Sequence, residues 1–223
     1  MKTHLCLSPV GFFTVLILLL PASAAPGAAE TGSPWYFRPG VGVEYSRASG
    51  LTLDFTQPAR KVDFNPGWRV NATGGYRFRS DVAVELEAAL HKSEIFSPNS
   101  DYALTQFSLI ASVRLQPDRP GKLTPYLSIG AGAVAAWLDI GHATLQGSSL
   151  RGNECAAAFA GQIQAGLDYR IGSRVRLGCA YQGLWTSSPE WDLPSYDPSK
   201  AFGVIKLQCP AHHSVVISAT FEF

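Results

Sequence analysis

The chain has 223 residues, with 18 Lys plus Arg against 17 Asp plus Glu and a formal net charge of +1. Only 16% of residues are charged and 46% are hydrophobic. That balance excludes a basic nucleic-acid-binding footprint and an intrinsically disordered chain, and the length suits one domain.

At the N-terminus, Lys2 supplies a positive charge and Val10 to Leu20 form an apolar run. Pro21 breaks it, and Ala22-Ser23-Ala24 forms a small-residue cleavage site. At about eleven residues, the run is well short of the roughly 20 that a spanning helix needs. Residues 1–24 are therefore expected to be a secretory signal peptide, residues 25–34 a short lead, and residues 35–223 one β-barrel domain. A later apolar run, Ile129 to Leu138, is broken by Gly130 and Gly132.

From Trp35 onward the chain alternates. Trp35, Phe37, Val41, Val43 and Tyr45 fall on one face; Tyr36, Arg38, Gly40, Gly42 and Glu44 fall on the other. Trp68, Val70, Ala72, Tyr76 and Phe78 oppose Arg69, Asn71, Thr73, Gly75 and Arg77. The pattern recurs around Val84–Leu90, Phe107–Val113, Leu127–Trp137, Phe159–Tyr169, Val175–Trp185 and Val215–Phe223. A period of two with one apolar face specifies a strand. Eight strands of about 10 to 14 residues are predicted, and about 9–11 suffice to cross a bilayer when tilted.

The connections alternate as well. Segments 80–82 and 171–173 read as tight turns and 116–123 as a short link. Segments 46–66, 93–102, 138–158 and 187–212 read as long loops. Short turns at one end and long loops at the other describe a bacterial outer-membrane barrel. The predicted fold is all-β: an eight-stranded antiparallel up-and-down transmembrane β-barrel. Segments 51–57 and 201–207 alternate too. They fall short of a full membrane crossing, so they are expected to extend hairpins above the membrane rather than to make a ten-stranded barrel.

A soluble barrel also alternates, with its apolar face inward. Here the apolar faces carry large aromatics at both strand ends. Trp35, Tyr76, Phe78, Tyr169, Phe221 and Phe223 lie at the short-turn end; Tyr45, Trp68, Trp137, Phe159 and Trp185 lie at the long-loop end. Two aromatic girdles around an aliphatic band mark two membrane–water interfaces. The charged faces then point into the lumen, where charges can pair. With three-residue turns at 80–82 and 171–173, Arg77 is expected opposite Glu85 and Asp168 opposite Arg176, as cross-strand ion pairs. Gly40, Gly42, Gly75, Gly130, Gly132, Gly166 and Gly178 share the inner face and are expected to leave volume for arginine and glutamine side chains. A lumen so filled argues against a general diffusion pore.

Two segments carry a family resemblance. The last strand, Val215-Val216-Ile217-Ser218-Ala219-Thr220-Phe221-Glu222-Phe223, ends on Phe after alternating apolar residues. Thr124-Pro125-Tyr126-Leu127-Ser128-Ile129-Gly130-Ala131-Gly132 is the second. Together with the alternation, these resemble the eight-stranded OmpA/OmpX-type outer-membrane barrels, including the opacity-protein group. The resemblance implies that Phe221 and Phe223 are the signal read by the barrel-insertion machinery. It does not carry over any loop function.

Candidate chemistry is sparse. His212-His213-Ser214 has the spacing of the His-x-Ser pair of lipid A deacylase barrels. However, Ser214 falls on the lumen face and the later acid, Glu222, lies near the opposite membrane edge. Glu85 and Glu87 face arginine-rich surroundings and read as structural ion-pair partners. No metal site or cofactor is expected from the scattered histidines.

The expected role is therefore non-enzymatic: structural support of the outer membrane, or surface adhesion through the long loops. A small pore and a lipid A-modifying enzyme are the alternatives. The expected partners are outer-membrane lipid and lipopolysaccharide, the insertion machinery and a host or cell-surface ligand, with no nucleic acid. The expected location is the bacterial outer membrane, reached through the periplasm.

The periplasm is oxidising. Cys155 and Cys209 precede predicted strands at the long-loop end, so a Cys155–Cys209 disulfide is a candidate staple. Such a bridge predicts a gel-mobility change on reduction and one free thiol, Cys179, by mass in the mature protein. Unchanged mobility together with three free thiols would exclude it.

Overall fold

The computed structural model describes residues 34–47, 49–53, 60–96, 102–117, 121–145, 148–193, 203–208 and 210–223. The expected signal peptide and nearly all of the expected lead lie outside them. Twelve strands occur among the described residues: β1 (Trp35–Ser46), β2 (Ser49–Leu53), β3 (Arg60–Phe64), β4 (Gly67–Arg77), β5 (Val82–Phe96), β6 (Tyr102–Leu115), β7 (Leu123–Leu145), β8 (Ser148–Arg170), β9 (Val175–Thr186), β10 (Glu190–Leu193), β11 (Gly203–Leu207) and β12 (Ala211–Glu222).

Eight of them close a ring. The hydrogen-bonded order β5-β4-β1-β12-β9-β8-β7-β6 returns to β5 through the β5–β6 pairing. Each of these pairings is antiparallel. Closure leaves no sheet edge within the ring, which a membrane demands because lipid cannot satisfy backbone N–H and C=O groups.

Side-chain period then sorts the residues. The predicted apolar faces point outward: Val41 is 60% exposed, Ile129 62%, Ile217 62% and Phe159 83%. Arg38, Arg69, Glu85, Glu87 and Asp168 are buried inside. An outward aliphatic belt with inward charge is the arrangement of a barrel in lipid, not of a soluble one. Trp35, Phe78, Tyr169, Phe221 and Phe223 are exposed at the short-turn end, and Tyr45, Trp68, Phe159 and Trp185 at the other. Tyr76 is half-buried, and Trp137 departs further. It packs with Ala88 and Phe107 on the outward face and is buried.

The remaining four strands build a second storey. Strands β10-β11-β2-β3 join edge to edge, and β3 pairs with the upper end of β5 through Asp63 with Phe96 and Phe64 with Ile95. The alternation in and around 51–57 and 201–207 thus extends the sheet above the ring, and the ring stays at eight.

The segment 138–158, expected as a loop, is instead mostly strand. Strands β7 and β8 each run 23 residues and pair up to Leu145 with Ser148, with one register shift between Ile140 and Ala143. The reason is packing. Leu138 and Ile140 continue the inward parity and are buried in an apolar cluster with Leu104, Val134, Ala156 and Leu184.

That cluster closes the top of the lumen. Trp191 of β10, Ile205 and Leu207 of β11, and Phe64 of β3 drop onto the inward apolar residues of the barrel. The Trp191 indole Nε1 donates to the Ala136 carbonyl at 2.9 Å, and the residue is 1% exposed. A buried indole with its one donor satisfied is a strong anchor.

Both predicted turn registers require correction. Strand β5 starts at Val82, and Arg77 pairs with Ala83 while Glu85 pairs with Gly75. Strand β9 starts at Val175, and Asp168 pairs with Gly178 while Arg170 pairs with Arg176. In the first turn Arg79 and Val82 exchange backbone hydrogen bonds, with Phe78 N–H also reaching the Val82 carbonyl. The first turn therefore lies earlier than the sequence suggested and the second later, and each facing pair shifts by two residues.

Trp191→Ala is expected to cost on the order of 3–5 kcal/mol of cap stability. Limited proteolysis should then cut the 187–210 segment while the barrel stays intact. Unchanged cleavage would show that the cap does not depend on this indole.

Candidate functional site

Polar side chains that face an eight-stranded lumen have little water to turn to, so they must satisfy one another. They do so in levels along the barrel axis.

At the short-turn end, Arg77 Nη2 and Arg176 Nη2 both bind Glu222 Oε1, at 2.9 and 2.7 Å. Above it, the Glu85 carboxylate accepts from Tyr36 Oη at 2.6 Å, Arg38 Nη2 at 2.9 Å and Arg114 Nη1 at 3.4 Å. Arg114 Nη2 also reaches Asp168 Oδ2 at 2.5 Å. Its guanidinium carbon lies 3.6 Å from the Tyr126 ring centroid, a cation–π contact. One level higher, Glu87 gathers Arg69 Nη2 at 2.6 Å, Asn71 Nδ2 at 3.1 Å, Gln162 Nε2 at 3.1 Å and Gln182 Nε2 at 3.2 Å.

The predicted ion-pair residues thus all sit in ion pairs, but not with the predicted partners. Arg77 and Arg176 share Glu222, Glu85 holds Arg38 and Arg114, and Asp168 holds Arg114. The physical reason is reach. Long guanidinium side chains cross between strands that are not neighbours, so facing position alone does not choose the partner.

Glycine placement also differs from expectation. A Cβ at Gly75 would lie 2.2 Å from Tyr36 Cζ, and one at Gly166 2.7 Å from the Tyr126 ring. At these two positions the glycines make room for tyrosine rings rather than for arginine or glutamine.

The top polar level contains a group that sequence reasoning missed. Glu44 binds His91 Nδ1 through Oε2 and lies 3.2 Å from His212 Nδ1 through Oε1. Ser46 Oγ meets His212 Nδ1 at 2.8 Å, Ser214 Oγ donates to Glu44 Oε2 at 3.4 Å, and Ser108 Oγ meets His91 Nε2 at 3.1 Å. The sequence did signal that Glu44 and His91 face inward. Only ring closure, which pairs β1 with both β12 and β4, brings them to His212.

Serine, histidine and glutamate are the components of a hydrolase triad, but here they are buried. A relay needs the hydroxyl and the carboxylate on opposite imidazole nitrogens. At His212, Ser46 and Glu44 both meet Nδ1. At His91, Glu44 meets Nδ1 and Ser108 meets Nε2, but Arg69 Nη1 lies 3.3 Å from the same Nε2 and Ser108 is fully buried. Ser214 contacts the carboxylate, and no side chain in the group is more than 3% exposed. Glu222, the acid considered from sequence, is held by Arg77 and Arg176 at the far end. His213 points outward, stacked on Tyr181 with Tyr181 Oη 2.6 Å from Nδ1. Among the described residues, no three His, Cys, Asp or Glu side chains converge as metal ligands.

The remaining predicted residues are placed as follows. Phe221 and Phe223 face outward at the short-turn rim, 41% and 63% exposed. Cys155 lies within β8, not ahead of a strand, opposite Trp137, and is disulfide-bonded. Cys209 lies outside the described residues. Cys179 is exposed and free.

The family model described as outer membrane protein beta-barrel domain matches residues 14–204. The chain belongs to this outer-membrane β-barrel family. Its place is accordingly the bacterial outer membrane. Among solved structures, the Neisserial surface protein A is 15% identical with a TM-score of 0.56, covering 87% of this chain and 100% of that one. The outer-membrane protein OprG from Pseudomonas aeruginosa is 15% identical with a TM-score of 0.53, covering 86% and 98%. At such identity these likenesses concern the fold of the barrel. No curated protein matches the chain.

Breaking a buried ion pair leaves an uncompensated charge and costs about 3–5 kcal/mol, whereas an exposed pair is worth about 0–1 kcal/mol. Glu85→Gln, which strands part of Arg38 and Arg114, should therefore lower the urea midpoint of the refolded barrel strongly. Glu190→Gln, which removes the exposed pair with Lys206, should leave it nearly unchanged. Equal midpoints would show that the Glu85 level does not hold the barrel.

Proposed function

We propose that this outer-membrane barrel is a non-conducting, non-enzymatic anchor that supports the membrane and presents a folded extracellular platform for surface adhesion. The observation that supports this reading is the filling of the lumen at both storeys. Four levels of ion pairs and hydrogen bonds occupy the lower part, and Trp191, Ile205 and Leu207 seal the top. A pore needs a continuous aqueous path, and a lipid-modifying enzyme needs a nucleophile that lipid can reach.

The platform is the four-stranded sheet β10-β11-β2-β3 beside the long β7–β8 hairpin. Loops held on a rigid scaffold are the usual seat of recognition. The partner on the cell-surface side is a host or neighbouring-cell ligand. Lipopolysaccharide and outer-membrane lipid cover the apolar belt, and the insertion machinery reads the strand ending in Phe221 and Phe223.

The test has two arms. In planar bilayers the purified barrel is expected to give no large, stable conductance steps; such steps would make it a pore. Replacing the 187–210 segment with a short turn is expected to abolish cell binding while the barrel still assembles. Binding that survives this change and a truncated β7–β8 hairpin would remove the adhesive role.

A further inference from the structure

Among the described residues, the periplasmic mouth carries more positive charge than it neutralises. Short turns mark this end as periplasmic. Arg170 at the end of β8 pairs directly with Arg176 of β9, so two like charges face each other across the strands, a destabilising arrangement unless an anion lies between them. Arg176 and Arg77 already share a single oxygen of Glu222.

Two more cations complete the rim. Lys122 leads into β7, where its carbonyl accepts from Arg170 N–H at 2.7 Å. Arg174 closes the β8–β9 turn, and its carbonyl accepts from Glu222 N–H at 2.9 Å. Arg170, Arg174 and Lys122 are exposed, and none of them has a carboxylate partner among the described residues. The Nε atoms of Arg77 and Arg176 are buried with no hydrogen-bond partner among those residues. Asp168, the next carboxylate inward, binds Arg114 through Oδ2, and its Oδ1 is buried without a hydrogen-bond partner among those residues.

We propose that Arg170, Arg174, Arg176 and Lys122 form a phosphate-binding site at the periplasmic mouth. Guanidinium groups present paired donors that match the oxygens of a phosphate group. The site spans the short-turn ends of β7, β8 and β9, and β9 pairs with β12. The phosphate group could come from a soluble periplasmic ligand or from a phospholipid headgroup; the recognition chemistry is the same.

Isothermal titration of the refolded barrel with inorganic phosphate, in maltoside micelles that contain no phosphate, tests the site. Saturable binding is expected, weakened about tenfold or more by Arg170→Gln and by Arg174→Gln, as loss of a charge-assisted hydrogen bond requires. Lys206→Gln, at the opposite end, should leave it unchanged. Heat-modified gel migration checks that each variant is folded. Competition by short-chain phosphatidylglycerol would assign the site to a lipid headgroup, and its failure to compete would assign it to a soluble phosphate. No saturable binding, binding matched by chloride, or binding unaffected by both substitutions would leave a solvated rim and overturn the proposal.

Discussion

Everything else in this molecule depends on how Glu85, Glu87 and Glu44, all buried on the inner face of the barrel, are satisfied. Each carboxylate faces a cost of several kcal/mol on leaving water, repaid only when its lone pairs are filled by donors in good geometry. Glu85 draws donors from β1 and β6, and Glu87 draws them from β4, β8 and β9. A closed ring of eight strands provides that convergence. An open sheet would leave the same carboxylates with neighbours on two strands at most. The polar interior therefore fixes the closure as much as the closure buries the interior.

The lumen changes character with height. Below, it is a ladder of ion pairs; above, Leu104, Val134, Leu138 and Ile140 turn the inner wall apolar. This apolar upper wall explains why chain beyond the membrane does not simply wave in solvent. Trp191, Ile205 and Leu207 have somewhere to bury, and the strands that carry them connect through β2 and β3 to β5 of the ring. The closed ring and the four strands above it are thus continuous pieces of one sheet system.

Much of this was legible in the sequence, because alternation is a local property. Which residues face lipid and which face the lumen followed from a period of two, and the aromatic ends of Trp35, Trp68, Trp185 and Phe223 marked the two interfaces. The turn registers were not legible. Shifting a hairpin by two residues preserves every inside–outside assignment, so hydrophobic pattern cannot distinguish Arg77 opposite Glu85 from Arg77 opposite Ala83. Parity also left 138–158 ambiguous. A strand that continues above the membrane no longer meets lipid, and its outward face loses the apolar mark that identified the rest.

The sequence by itself determined the fold class, the membrane-facing surface and the set of side chains that share the interior, since each of these depends on residue type and spacing along one strand. Only the tertiary structure decided which interior groups touch. Arg114 with Asp168, Arg77 and Arg176 with Glu222, and Glu44 with His91 and His212 are meetings between residues far apart in the chain. They depend on ring closure, strand stagger and the length of a guanidinium side chain, and none of these has a signature in local spacing.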